Sequence, residues 1–199
     1  MTITVFNPNW FYTEVLSKEQ HNHVDEIFKQ FLNDNSNFHN PWDSICLSTY
    51  QHQNNNTAPW EEFITIIQPI TQNLIDTLKP RNPIKCYTQE AWANKYRERE
   101  YQETHTHSLP GVNMSLVYFH QVSENDTSFK FVSDSFSNYS LSGLHQLFDI
   151  PNNQLFIPKV ETGTVMFFPS FLPHYVSPHN TPDYERITFS ANFMLVPVE

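Results

Sequence analysis

Arg186-Ile-Thr188-Phe-Ser190-Ala-Asn192-Phe alternates polar and apolar residues without a break. A period of two puts one set on each face of an extended segment, so this stretch is a strand whose two faces meet different surroundings. It comes late in a chain that is rich in such segments from Pro83 onward. Ile84 to Tyr96, Tyr101 to His107, Val112 to Gln121, Ser128 to Val132, Leu155 to Pro158 and Gly163 to Phe168 all read as extended pieces between Asn, Asp, Pro and Ser turns. Many short strands in that order predict a mainly β fold, a double-sheet jelly roll or barrel. Residues 133–153 have no clear period and read as a lid-like insertion over the barrel mouth.

The first part of the chain has a different texture. Residues 2–6 alternate weakly, as a short edge strand would. From Ser17 to Leu32, the residues Val24, Ile27, Phe28, Phe31 and Leu32 recur at helical spacing, and Ser17 with Glu19 and Gln20 offers a capped start. Residues 33–43 read as a loop and Ile45 to Gln51 as a strand. A second helix is predicted over Trp60 to Leu78, with Phe63, Ile66, Ile67, Ile70, Leu74 and Leu78 on its face and a kink at Pro69. Two helices ahead of a β-rich half predict a support region, 1–83, packed on one outer face of a sheet. The core is then 84–199, in a single domain of 1–199 with neither internal repeat nor linker.

Composition narrows the function. Only Gly111, Gly143 and Gly163 are present, which opposes a glycine-rich phosphate loop or dinucleotide fingerprint. The net charge of −10 opposes nucleic-acid or anionic-membrane binding. Cys46 and Cys86 lack metal-type spacing, so reduced thiols are expected. The N-terminal residues lack a basic start with a long apolar run, and no stretch reaches membrane-spanning length. A soluble, acidic, cytoplasmic protein is expected.

Three elements carry chemistry. His105 and His107, at i and i+2 on an extended segment, share one side; facing inward, both imidazoles can reach one metal ion. The strand Val165 to Pro169 runs into a proline turn that presents His174, a candidate third ligand. Together they would form a facial set with open positions, the geometry of non-haem iron sites. The pair alone is a weak signal, since His21-Asn-His23 repeats the spacing inside the first helix, where i and i+2 diverge. His23-Val-Asp25 matches a His-x-Asp iron motif but sits in that same helix. The third element is the alternating strand itself. The Arg186 fork, with hydroxyls at Thr188 and Ser190, suits bidentate grip on a carboxylate inside a barrel, although a solvated polar face gives the same pattern.

The order Trp92-x-Asn94-x-Tyr96, His105-x-His107, Ser115-Leu-Val-Tyr118-Phe119, Gly163-x-x-x-Phe167-Phe-Pro169, His174, Arg186-x-Thr188-x-Ser190-x-Asn192 resembles the 2-oxoglutarate/Fe(II)-dependent oxygenases. It is most like their small branch from tailed phages and marine bacteria, distantly related to prolyl hydroxylases. The resemblance covers roughly residues 84–195. It implies a double-stranded β-helix (jelly-roll or cupin-like) with N-terminal helices packed on one sheet. It also implies Fe(II) on His105, His107 and His174, with the distal carboxylate of 2-oxoglutarate on Arg186, assisted by Thr188 or Ser190. Trp92, Asn94, Tyr96, Tyr118 and Asn192 are candidates to line the pocket. The implied reaction couples decarboxylation of 2-oxoglutarate by O2 to oxidation, usually hydroxylation, of a substrate. For a phage protein the compartment would be the host cytoplasm.

One departure stands out. The wider superfamily uses His-x-Asp or His-x-Glu before a distant histidine, and here His107 stands where the carboxylate would be. Either His107 is a ligand, or Glu103 or Asp134 supplies a carboxylate, or His107 stands outside a two-ligand site. Two other classes compete with the oxygenase: a cupin-like three-histidine dioxygenase without 2-oxoglutarate, in which Arg186 has no role, and a non-catalytic jelly-roll module. The substrate, whether a protein side chain or a small molecule, is not named by the residues. Short edge strands leave a homodimer open.

Overall fold

The computed structural model describes residues 9–41, 45–133, 135–147 and 154–198. Among the described residues, ten strands form two antiparallel sheets. The larger has the order β1 (Tyr12–Val15), β8 (Thr164–Pro169), β5 (Met114–Gln121), β10 (Arg186–Pro197), β3 (Ile84–Tyr96), β2 (Leu47–Ser48). The smaller runs β4 (Gln102–His105), β9 (His174–Val176), β6 (Phe129–Val132), β7 (Leu155–Phe156). The expected two-sheet β fold is present. The edge strand expected over residues 2–6 lies outside the described residues, and the one expected over Ile45 to Gln51 is only Leu47–Ser48.

The helices support one face of the larger sheet. Helix α1 (Lys18–Asn33) begins at a reciprocal cap, in which the Ser17 side chain accepts from the Gln20 N–H and the Gln20 side chain accepts from the Ser17 N–H. It buries Val24, Phe28, Phe31 and Leu32. Helix α2 (Trp60–Leu78) buries Phe63, Ile67, Ile70, Thr71, Leu74 and Ile75. Its Pro69 lies on the exposed face, so the carbonyl its ring leaves without a donor can turn to water. Leu78, expected on the buried face, is the last residue of the helix and is exposed.

Strand parity divides the interior in two. Ile187, Phe189, Ala191 and Phe193 of β10, with Leu116 and Tyr118 of β5 and Val165 and Phe167 of β8, join the helices in one apolar cluster. Val117, Phe119, Met166 and Phe168 point the other way and pack against Phe129, Phe131 and Val176 of the smaller sheet. The polar face of β10 therefore lies between the sheets, where Arg186, Thr188, Ser190 and Asn192 are all buried.

The region 133–153 carries two short helices, α3 (Phe136–Leu141) and α4 (Leu144–Leu147). None of its described residues lines the two chambers discussed below. Among the described residues, no helix is long and apolar enough to cross a membrane. Cys46 and Cys86 are not joined in a disulfide.

Candidate metal centre

Cross-strand pairing brings together histidines that are distant in sequence. His105 ends β4 and His174 begins β9, and the two are direct partners in the smaller sheet. Their ring centroids lie 4.3 Å apart. His107 is past the end of β4, in a loop held by its backbone N–H to the Ser170 carbonyl at 2.8 Å. Its ring stacks on His105 at 5.2 Å and meets His174 edge-on at 5.1 Å. Candidate ligand nitrogens of all three lie within 4.8 Å of one another.

Each ring is held in one tautomer. Nδ1 of His105 is 2.8 Å from the Glu103 carbonyl, and Nδ1 of His174 is 2.8 Å from the Leu172 carbonyl. A carbonyl only accepts, so both Nδ1 atoms carry the proton and both Nε2 lone pairs are free. His107 reaches the same state through an amide. Its Nδ1 lies 2.7 Å from Oδ1 of Asn192, and Asn192 Nδ2 donates to Glu90 Oε1 at 2.7 Å. The Glu90 carboxylate fixes which way the amide points, and Ser115 Oγ donates to the same Oδ1 at 2.8 Å. Register makes this network, because Asn192 pairs with Glu90 across β3 and with Ser115 across β5.

The surroundings keep the rings uncharged. Burial, reinforced by the other two histidines, holds the pKa of His174 well below the ordinary range. Burial and then His105 bring His107 down to about 4, and burial lowers His105 as well. Three neutral imidazoles with free Nε2 atoms are a donor set suited to a divalent transition metal. Among the described residues the cluster contains no carboxylate. Glu103 has an exposed side chain outside it, and Asp134 lies outside the described residues.

On the other side of the cluster is Arg186. Its side chain is 1% exposed, with the guanidinium carbon 5.2 Å from the Tyr96 ring centroid and 5.5 Å from that of Phe119. Nε donates to Asp126 Oδ2 at 2.9 Å, while Nη1 and Nη2 are buried without a partner among the described residues. A buried fork with two unused ends calls for an acceptor with two oxygens, such as a carboxylate. Arg186, Thr188 and Ser190 line a narrow inner chamber of about 10 Å³ together with the three histidines. An outer cavity of about 210 Å³ opens beyond it, lined by Tyr50, Glu103 and Leu109 among others. Trp92, Gln102, His105 and His107 border both.

The other expected residues do not all reach the chambers. Trp92 and Tyr96 line the inner chamber, Tyr96 donating to Gln102 Oε1 at 2.8 Å. Asn192 lines the outer cavity. Asn94 borders neither chamber and ties Ser48 to Ser190. Tyr118 corrects the expectation. It lies one residue out of phase with Val117 and Phe119, so it faces the helices and bonds His21 Nδ1 at 2.6 Å. His23 bonds Glu62 far from the cluster, as expected for a helical decoy. Sequence reasoning missed Tyr50, Glu90, Gln102 and Asp126. Glu90 and Gln102 carry weak signals, one in register with Asn192 and the other at the head of the histidine strand; the turn residue Asp126 carries none.

A two-sheet β roll with buried imidazoles at one end and a buried, half-used arginine beside them defines the class of non-haem iron oxygenases that employ 2-oxoglutarate. Residues 90–192, just over half of the chain, match the family described as "Putative 2OG-Fe(II) oxygenase". The protein belongs to that family, whose cofactor is Fe(II) and whose cosubstrates are 2-oxoglutarate and O2. No curated protein matches the sequence. Among solved structures it is similar to a prolyl hydroxylase from Trichoplax adhaerens in complex with a hypoxia-inducible-factor peptide fragment (TM-score 0.63, 12% identity, covering 92% of this chain and 83% of that one). HygX from Streptomyces hygroscopicus with nickel and 2-oxoglutarate bound gives 0.62 at 11% identity, covering 92% and 82%. A Pseudomonas putida prolyl-4-hydroxylase gives 0.58 at 9%, covering 92% and 91%. These likenesses establish the double-stranded β-helix fold.

Proposed function

We propose that His105, His107 and His174 hold the ferrous ion, that Arg186 with Thr188 and Ser190 holds the distal carboxylate of 2-oxoglutarate, and that the protein hydroxylates a substrate seated in the outer cavity. The observation that carries this reading is the common tautomer of three neighbouring imidazoles, each with Nδ1 committed and Nε2 free. The unpartnered Arg186 fork supports the second half. When bound, the iron and cosubstrate supply an oxidant from O2, with succinate and CO2 as co-products.

The chain's own residues do the rest. The imidazoles orient the ion without neutralising it, so a dianionic cosubstrate supplies the missing negative charge. Tyr96, Phe119 and Phe129 keep water away from the arginine end. Seating a five-carbon diacid requires the inner chamber to widen. The outer cavity, bordered by Tyr50, Trp92 and Leu109, admits a single protein side chain or a small molecule of similar size. Residues 84–199 act as the catalytic core and 1–83 as its support, in one functional unit.

An anaerobic Fe(II) titration with and without 2-oxoglutarate tests the reading. The expected result is a visible metal-to-ligand charge-transfer band that is lost in His174→Ala and weakened in Arg186→Ala. Iron binding without any band would favour a cupin-like dioxygenase, and no iron binding would sink the enzyme reading.

A further inference from the structure

We propose that Asp126 is the positioning residue for the cosubstrate: it holds the Nε end of Arg186 so that both Nη groups face the chamber. This rests on the reading of Arg186 as the carboxylate clamp. Asp126 sits in the turn between β5 and β6, where its N–H bonds the Ser123 carbonyl at 3.2 Å. Its side chain is 2% exposed. Both of its oxygens are committed as acceptors: Oδ1 to the Ser128 N–H at 2.7 Å and Oδ2 to Arg186 Nε at 2.9 Å.

That double commitment gives the geometry its direction. The Ser128 N–H belongs to the backbone just ahead of β6, so it anchors the carboxylate to the smaller sheet. Arg186 begins β10 in the larger sheet. Asp126 therefore links the two sheets through the guanidinium, and it engages the single nitrogen that a fork-on carboxylate does not need. The rings of Tyr96 and Phe119 flank the guanidinium, and Asp126 limits its swing. A long flexible side chain is thus set before ligand arrives, which lowers the ordering cost of binding. An ion pair formed only for stability would be expected to engage the arginine fork bidentately, whereas here both Nη groups are left unused.

Asp126→Asn tests this, because an amide of the same shape can accept only one of the two hydrogen bonds. The Fe(II)-loaded protein is titrated anaerobically with 2-oxoglutarate and, separately, with pyruvate, which has the same keto acid but no distal carboxylate. The half-saturating 2-oxoglutarate concentration should rise about tenfold or more, with the band position, the pyruvate titration and the Fe(II) affinity unchanged. Equal weakening of both keto acids, tighter 2-oxoglutarate binding, or no change would overturn the proposal. If Asp126→Asn fails to fold, Asp126→Glu, which keeps the charge but displaces the fork by one methylene, is read in the same way. Arg186→Ala separates the two readings. If it leaves 2-oxoglutarate binding intact, the clamp itself is wrong; if it weakens binding and Asp126→Asn does not, only the role of Asp126 falls.

Discussion

His105 and His174 are direct cross-strand partners, the last residue of one strand opposite the first residue of another. Two rings that approach to 4.3 Å in this way need no long side chains or mobile loops to converge on an ion. The smaller sheet supplies two of the proposed ligands from rigid backbone, and the loop after β4 supplies the third.

Loss of His174 should therefore abolish Fe(II) binding rather than weaken it. Equilibrium dialysis of His174→Ala should recover apoprotein. His23→Ala, which removes the exposed partner of Glu62, should bind iron like the parent.

Asn192 fixes the His107 ring by accepting its Nδ1 proton. In Asn192→Leu the Nδ1 proton loses its acceptor and the ring is free to change tautomer or turn. Metal affinity should fall by about 10- to 100-fold, as removal of such an orienting partner commonly does. Competition against a chelator measures it.

The helix-side core should be separable from the site. Phe63 is fully buried against Phe28, Trp60, Tyr118 and Phe189. Phe63→Ala should cost about 3–5 kcal/mol of stability in urea unfolding. The folded fraction should keep its Fe(II) affinity.

Acid should weaken the metal-free fold through His120. Burial, and then the neighbouring His21, bring this ring from 6.5 down to about 4, against an opposing pull from Asp25. The unfolded chain takes up the proton near pH 6.5 and the folded chain only near pH 4. The contribution of His120 is thus complete above the upper value and is lost as pH falls toward the lower one. At pH 5 the loss is about 2 kcal/mol. His120→Phe keeps the stacking on Phe189 and should flatten the decline in Tm between pH 7 and pH 5.

Much of this architecture was legible in the sequence because period-two and period-3.6 patterns survive wherever one face is buried. Strand β10 follows its alternation, and its polar face leads directly to Arg186, Thr188, Ser190 and Asn192. The three-residue β9 was not legible, since His174–Val176 follows prolines and is too short to show a period. Tyr118 was misplaced because β5 is buried on both faces, which removes the alternation that would have assigned its side. Asp126 was invisible for a different reason: its importance arises from a contact with a residue 60 positions away, made through a turn of ordinary composition. That Asn192 meets Nδ1 of His107 was not legible either, because strand register sets that contact.

The most direct test of the central claim is an anaerobic crystal structure of the protein with Mn(II), a redox-silent substitute for iron, and 2-oxoglutarate. The account predicts one ion bound by Nε2 of His105, His107 and His174, and a distal carboxylate on both Nη groups of Arg186. An ion held by Glu103 or another carboxylate in place of His107, or a cosubstrate turned away from Arg186, would contradict it.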